Sequence, residues 1–161
     1  MNGHPAQPAT FKQRQTSCHH RRGTTIVESA IGLSVLLLVL IGSLDVGLAT
    51  ARHDLLSTAA RHLAREAAVH GDSASPERTT WGPATLVHTA GDGSEVAAAV
   101  AAVLPTMSAN DVTVELEWPD GTNETGDRVV VRLSYVHQGA VLLGLGNGLP
   151  LKSESTMRIT H

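Results

Sequence analysis

The stretch that decides the fold is HHRRGTTIVESAIGLSVLLLVLIGSLDVGLATAR, residues 19–52. Two arginines and a glycine precede an apolar run that carries a single carboxylate, Glu28, close to its start. From Thr24 to Leu44 that glutamate is the only charge. At about 1.5 Å of rise per residue, a helix over the run spans about 31 Å, which matches one bilayer core. A carboxylate is costly in lipid, so a segment serving only as an anchor has no use for one there.

The charge around the run is uneven. Lys12, Arg14, Arg21 and Arg22 are four of the 12 basic residues, and all 15 acidic residues lie after position 23. The net charge of −3 therefore conceals a basic leader and an acidic remainder. Basic flanks of a hydrophobic segment stay in the cytoplasm, which puts the N-terminus inside and the acidic C-terminal part outside. Cys18 is the only cysteine, so an intramolecular disulfide is excluded. Aromatic residues make up 2% of the chain, too few to give single-stranded nucleic acid its stacking platforms.

Three processing fates compete for the run. It can remain as an uncleaved single-pass anchor. It can act as a secretory signal, with Ala30–Leu44 as the apolar core and Ala49-Thr50-Ala51 as the cleavage site. Or the chain can be cut ahead of the run, between Gly23 and Thr24, which keeps the membrane helix and makes Glu28 the fifth mature residue. Only the third fate gives Glu28 work to do. The cut exposes an α-ammonium, and a carboxylate on a neighbouring, offset helix can neutralise it in a low-dielectric setting.

Beyond Leu44 the helix need not stop, because DVGLATARHDLLSTAARHLAREAAVHG has no proline and is rich in Ala and Leu. Leu48, Leu55, Ala59, Leu63 and Ala67 recur at helical spacing, leaving Arg52, Asp54, Arg61, Arg65 and Glu66 to face water. The spacing predicts one helix from about Thr24 to His70, with Gly71 as its C-cap. His53 and His62 fall on opposite faces, and His62 and His70 are about 12 Å apart along the axis, so they form no zinc site. These histidines are expected at the solvent or at the domain boundary.

Residues 71–93 are rich in Gly, Pro, Ser and Thr and read as a connection with a short strand at Thr85–His88 and Trp81 covering an apolar edge. SEVAAAVAAVLPTMS, residues 94–108, reads as a second helix capped by Ser94 and stopped by Pro105. DVTVELEW and RVVVRLSYV alternate as the strands of an antiparallel hairpin, with Val112, Val114 and Leu116 on one face and PDGTNETGD as the turn. QGAVLLGLGNGLP is a glycine-broken apolar connection, and KSESTMRIT an edge strand. The acids Glu115, Glu117, Asp120, Glu124 and Asp127 read as solvated turn residues, since DGTNETGD lacks the spacing of a calcium loop. Asn123-Glu124-Thr125 is a glycosylation sequon incidental to this kind of export signal.

The order of basic residues, Gly23, four residues, Glu28 and an unbroken apolar helix resembles the processing site of type IV prepilins and pseudopilins. With LLSTAARHLAREAAVHG after it, and DRVVVRLSYV and SESTMRIT further on, the chain resembles a TadE-like minor pseudopilin of the tight-adherence (Flp) pilus system. Ser29 departs from the phenylalanine that many relatives place after the glutamate, and Thr24 differs from the first mature residue of many conventional pilins. The resemblance implies that a prepilin peptidase of the TadV type cuts after Gly23 behind Arg21 and Arg22, and that Glu28 serves assembly. It implies as partners other pilins or pseudopilins, the Tad inner-membrane assembly machinery and the lipid bilayer, with no nucleic acid. The protein would be a single-pass inner-membrane protein, with its C-terminal domain extracytoplasmic and available to the pilus. The rival is a secreted or anchored extracytoplasmic binding module, cut after Ala51 or left whole.

The expected organisation is a cleaved leader over 1–23, a transmembrane helix over 24–44, its amphipathic continuation over 45–70 and a domain over 71–161. The fold class is α+β, with the second helix and an antiparallel sheet in that domain. No nucleophile elbow, phosphate loop or metal-ligand cluster stands in the sequence, so we expect no catalytic activity, no cofactor and no metal.

Overall fold

The computed structural model describes residues 21–139 and 148–160. Residues 1–20 of the expected leader, Cys18 among them, and residues 140–147 of the expected glycine-broken connection lie outside the described residues. The fold is α+β, and the chain divides into two compact units, Met1–Leu37 and Leu38–His161.

The first element is α1, Arg21–Ala68. Its interior holds no proline, and its leucines and alanines are strong helix formers. In the first unit, residues 24–37 are exposed on every side. An 18-residue window of α1 is apolar enough to cross a membrane, and none of it is buried. Hydroxyls along this part are satisfied within the helix itself: Ser29 Oγ donates to the Thr25 carbonyl and Ser34 Oγ to that of Ala30, each at 2.8 Å. Such back-bonding satisfies these hydroxyls on a helix that could cross a membrane.

In the second unit α1 becomes a core helix. Ala49, Leu56, Ala59, Ala60, Leu63, Ala64, Ala67 and Ala68 are buried, a stripe that advances by three or four residues at each step. Alanine dominates the stripe, so the sheet can approach the helix closely. Leu56 and Leu63 supply the bulk, each worth about 1.5–3 kcal/mol on full burial. Ala59, Leu63 and Ala67 are buried as expected, but the first turns of the face lie one position along. Leu48 is 44% exposed and Leu55 sits at the core's margin, while Ala49 and Leu56 take the centre.

The helix also ends differently from the sequence expectation. Val69 and His70 donate to the Glu66 and Ala67 carbonyls at 3.1 and 3.2 Å, tightening the last turn. Gly71 is not left-handed, so it does not serve as the C-cap. Instead Asp72 N donates to the Asn123 carbonyl at 3.0 Å, which ties the helix exit to the sheet.

The sheet has four strands in the order β1-β2-β3-β4, all antiparallel: β1 Leu86–Thr89, β2 Val112–Glu117, β3 Arg128–His137 and β4 Leu149–Arg158. Between β1 and β2 stand α2, Glu95–Ala101, and one 3-10 turn at Ala109–Asp111. Ser94 caps α2 by accepting from Ala97 N at 3.1 Å, and the helix stops before Pro105. Val112, Val114 and Leu116 face the core as expected, opposite Tyr135, Leu133 and Val131 on β3. The β2–β3 connection turns through Gly121 and Gly126, both at positive φ, where a side chain would be strained. β4 is the edge strand on the other side of β3, with Leu151 buried towards the core.

Candidate assembly site

The residues singled out in the sequence lie in the first unit. Arg21, Arg22, Gly23 and Thr24 lie in the first described turn of α1, and the Gly23–Thr24 bond falls inside it. Gly23 weakens that turn, because glycine is among the poorest helix formers.

Glu28 lies one turn beyond Thr24. Positions four apart on a helix differ by about 40° and about 6 Å of rise, so the two residues share a face. The Glu28 side chain is exposed, and it has no hydrogen-bond or ion-pair partner among the described residues. Further along the same face stand Gly32 and Val35, and a Cβ added at Gly32 would meet nothing within 4 Å. The structure thus brings Thr24 and Glu28 together on one open helix face. Among the described residues the carboxylate has no counter-charge.

In the second unit several titratable groups are held by neighbours. Arg128 grips Asp120 with Nη2 and Nε at 2.7 and 3.1 Å, and its backbone N donates to the same carboxylate at 2.8 Å. These bonds, the side-chain one foremost, hold the Asp120 carboxyl down to about 2 and raise the Arg128 guanidinium. Arg132 binds Glu117 and reaches Glu154 at 2.9 Å, with Glu115 at 3.7 Å, and its guanidinium is raised, chiefly by the hydrogen bond to Glu117. Asp127 accepts from Thr122 Oγ1 and from Glu124 N. The acids around the hairpin are thus cross-strand and turn-fixing partners, several of them more firmly held than the solvated groups expected. No group of three metal-ligating side chains occurs among the described residues.

Two residues depart from their expected surroundings. His70, read as a boundary residue, is buried; it stacks on Trp81 with ring centroids 4.2 Å apart, and its Nδ1–H donates to the Thr79 carbonyl. Arg52, expected to face water, is half-buried, with its guanidinium 5.6 Å from the Tyr135 ring centroid. Its Nη1 donates to His137 Nδ1 at 2.6 Å, which leaves the ring hydrogen to Nε2, a buried atom without a partner among the described residues. The signal lay in the spacing, since 49, 52, 56 and 59 are successive steps of one stripe.

Comparison with known families matches residues 23–65 to the family described as TadE-like protein. Residues 23–65 are thus similar to that family. The match opens at Gly23, takes in Thr24 and Glu28, and covers both the exposed run and most of the buried stripe of α1. The TadE-like segment ends before the sheet, so the resemblance of β3 and β4 to later family strands has no counterpart in it. Searches of curated proteins and of solved structures return no match.

Proposed function

We propose that the protein is a minor pseudopilin that serves assembly of a tight-adherence pilus, cut by a prepilin peptidase between Gly23 and Thr24. The observation that carries the reading is the TadE-like match beginning at Gly23, joined to a lone carboxylate on the face of Thr24. Cleavage places an α-ammonium at Thr24, and Glu28 of an adjacent, axially offset subunit neutralises it. In lipid the pair is worth more than at a wet surface, because an unpaired Glu28 there is costly.

The membrane orientation follows from the basic leader, with the N-terminus cytoplasmic and the sheet domain extracytoplasmic. Partners are then the peptidase, other pilins or pseudopilins, the inner-membrane assembly machinery and the bilayer. The role is structural, without catalysis. A cut after Ala51 fits the fold poorly, because it severs α1 between Ala49 and Leu56, both buried in one stripe.

The test is the N-terminal sequence of the mature protein from cells with and without the peptidase. A start at Thr24 that depends on the enzyme is expected; a start at Arg52, or an intact Met1 in both strains, overturns the reading. Glu28→Ala should still insert and be cut, yet lose assembly, and normal piliation by that variant would remove the role given to the carboxylate.

A further inference from the structure

The second unit contains both the end of the apolar run, residues 38–44, and the whole sheet. The sheet lies lengthwise along α1, which acts as a ruler for height above the run. At one end Thr160 N donates to the Ala68 carbonyl at 2.9 Å and Asp72 N to that of Asn123 at 3.0 Å. At the other, Arg52 meets His137, and a Cβ at Gly139 would lie 2.8 Å from the Asp45 carboxylate. The C-terminal end of β3 and the start of β4 therefore stand beside residues 45–53, directly after Leu44.

The two ends of the sheet differ in chemistry. The far end carries Asp120, Glu124, Asp127 and Arg128. The near end exposes Val136 at 46% and Leu149 at 40%. Leu149 also walls an apolar groove of about 310 Å³ with Leu151, Val46, Ala49, Thr50 and His53. By helical rise, positions 46–50 lie about 3–9 Å past Leu44, a span comparable with the headgroup region of roughly 5–8 Å on each side of a bilayer core. The groove walled by Leu149 and Val46 thus adjoins the end of the apolar run, and Val136, on the other face of the sheet, stands at the same end.

We propose that the β3–β4 end of the sheet is a lipid-contacting surface, with Val136 and Leu149 resting in the headgroup layer of the membrane that α1 enters. The proposal rests on the membrane reading of the apolar run. Its consequence is mechanical: the domain is held against the bilayer, and Arg52 and His137 form their contact close to the lipid boundary. Leaving the membrane then requires this surface to detach along with α1.

The experiment uses the full chain in phosphatidylcholine vesicles containing phosphatidylglycerol, with Cys18→Ser and one introduced cysteine carrying an environment-sensitive fluorophore. Leu149→Cys and Val136→Cys probe the surface, Leu38→Cys the apolar run and Thr122→Cys the far end. Lipids bearing a nitroxide near the headgroup should quench Leu149 and Val136, lipids with the nitroxide deeper in the chain should quench Leu38, and Thr122 should be quenched by neither. Intrinsic fluorescence of Trp81 and Trp118 checks that each variant is folded. Quenching at Leu38 with none at Leu149 and Val136 overturns the proposal and leaves the anchor standing, as does a blue-shifted but unquenched label, which would mean that protein covers the surface. Loss of quenching at Leu38 as well overturns the membrane reading itself.

Discussion

The more hydrophobic half of α1 is the exposed half. Leu36, Leu38, Val39 and Leu40 are 50–61% exposed, whereas Ala59, Ala60 and Ala64, whose side chains are far smaller, are fully buried. Hydrophobicity alone thus fails to say where a helix packs. The alanine half has a sheet beside it, and small side chains let that sheet come close. Among the described residues nothing stands beside the leucine half, as the proposed contact with lipid or another subunit requires. Substitutions in the two halves should therefore fail in different ways.

The largest difference is expected from one truncation made in each half. Leu56→Ala removes a side chain with no exposed surface and should destabilise the domain by about 2–5 kcal/mol, the range for buried leucine truncation. Leu38→Ala removes one that is 60% exposed and should leave the domain's unfolding midpoint unchanged. Denaturation of the full chain in mild detergent, followed by fluorescence of Trp81 and Trp118, reads both. Equal losses would erase the distinction between the halves.

Enlargement sharpens the contrast and should have a smaller effect. Ala64→Leu forces three extra carbons into a site with no exposure, at about 1–3 kcal/mol. Gly42→Leu adds its side chain where a Cβ meets nothing within 4 Å, so the domain should keep its stability. If Gly42 faces another helix in the assembly, that variant will fold yet assemble poorly. A loss of folding at Gly42 would mean that this part of α1 has an intramolecular partner after all.

The sequence was most informative where the period was long or the chemistry local. The uninterrupted helix, the β2–β3 hairpin and the Ser94 cap follow from spacing and turn residues, and all three are present. Only the first turns of the α1 stripe are misplaced by one position, because Leu48 and Leu55 outweigh Ala49 in any count of apolar bulk, whereas Ala59, Leu63 and Ala67 are buried as expected. Arg52 was assigned to water because its type favours water. Its place in the 49, 52, 56, 59 stripe marks it as inward-facing, but the groups it meets there, Tyr135 and His137, lie more than 80 positions away and are not legible in that spacing. The same limit applies to the candidate site. Gly23, Thr24 and Glu28 are recognisable by type and spacing, yet the carboxylate's counter-charge is not among the described residues of this chain, so its geometry could not be read from either source.

The smallest expected effect lies in the ion pairs, which among the described residues all fall in the second unit. Asp120 is held down to about 2 by Arg128, and Asp92 down to about 2 first by the Ser94 backbone N–H. A carboxyl whose folded pKa is depressed stabilises the fold above its unfolded value of 3.8, and the contribution disappears as pH falls through about 2. The urea midpoint of the domain should therefore lose these two contributions between about pH 4 and pH 2. Asp120→Asn should lower the midpoint slightly at neutral pH and flatten that acid slope, because the variant has no carboxylate left to protonate at this position. The effect is small because Arg128 is 52% and Asp120 30% exposed, so water screens the pair. An unchanged acid slope in Asp120→Asn would show that Asp120 contributes nothing to the fold, leaving the buried alanine stripe and the sheet packed on it to account for the domain's stability.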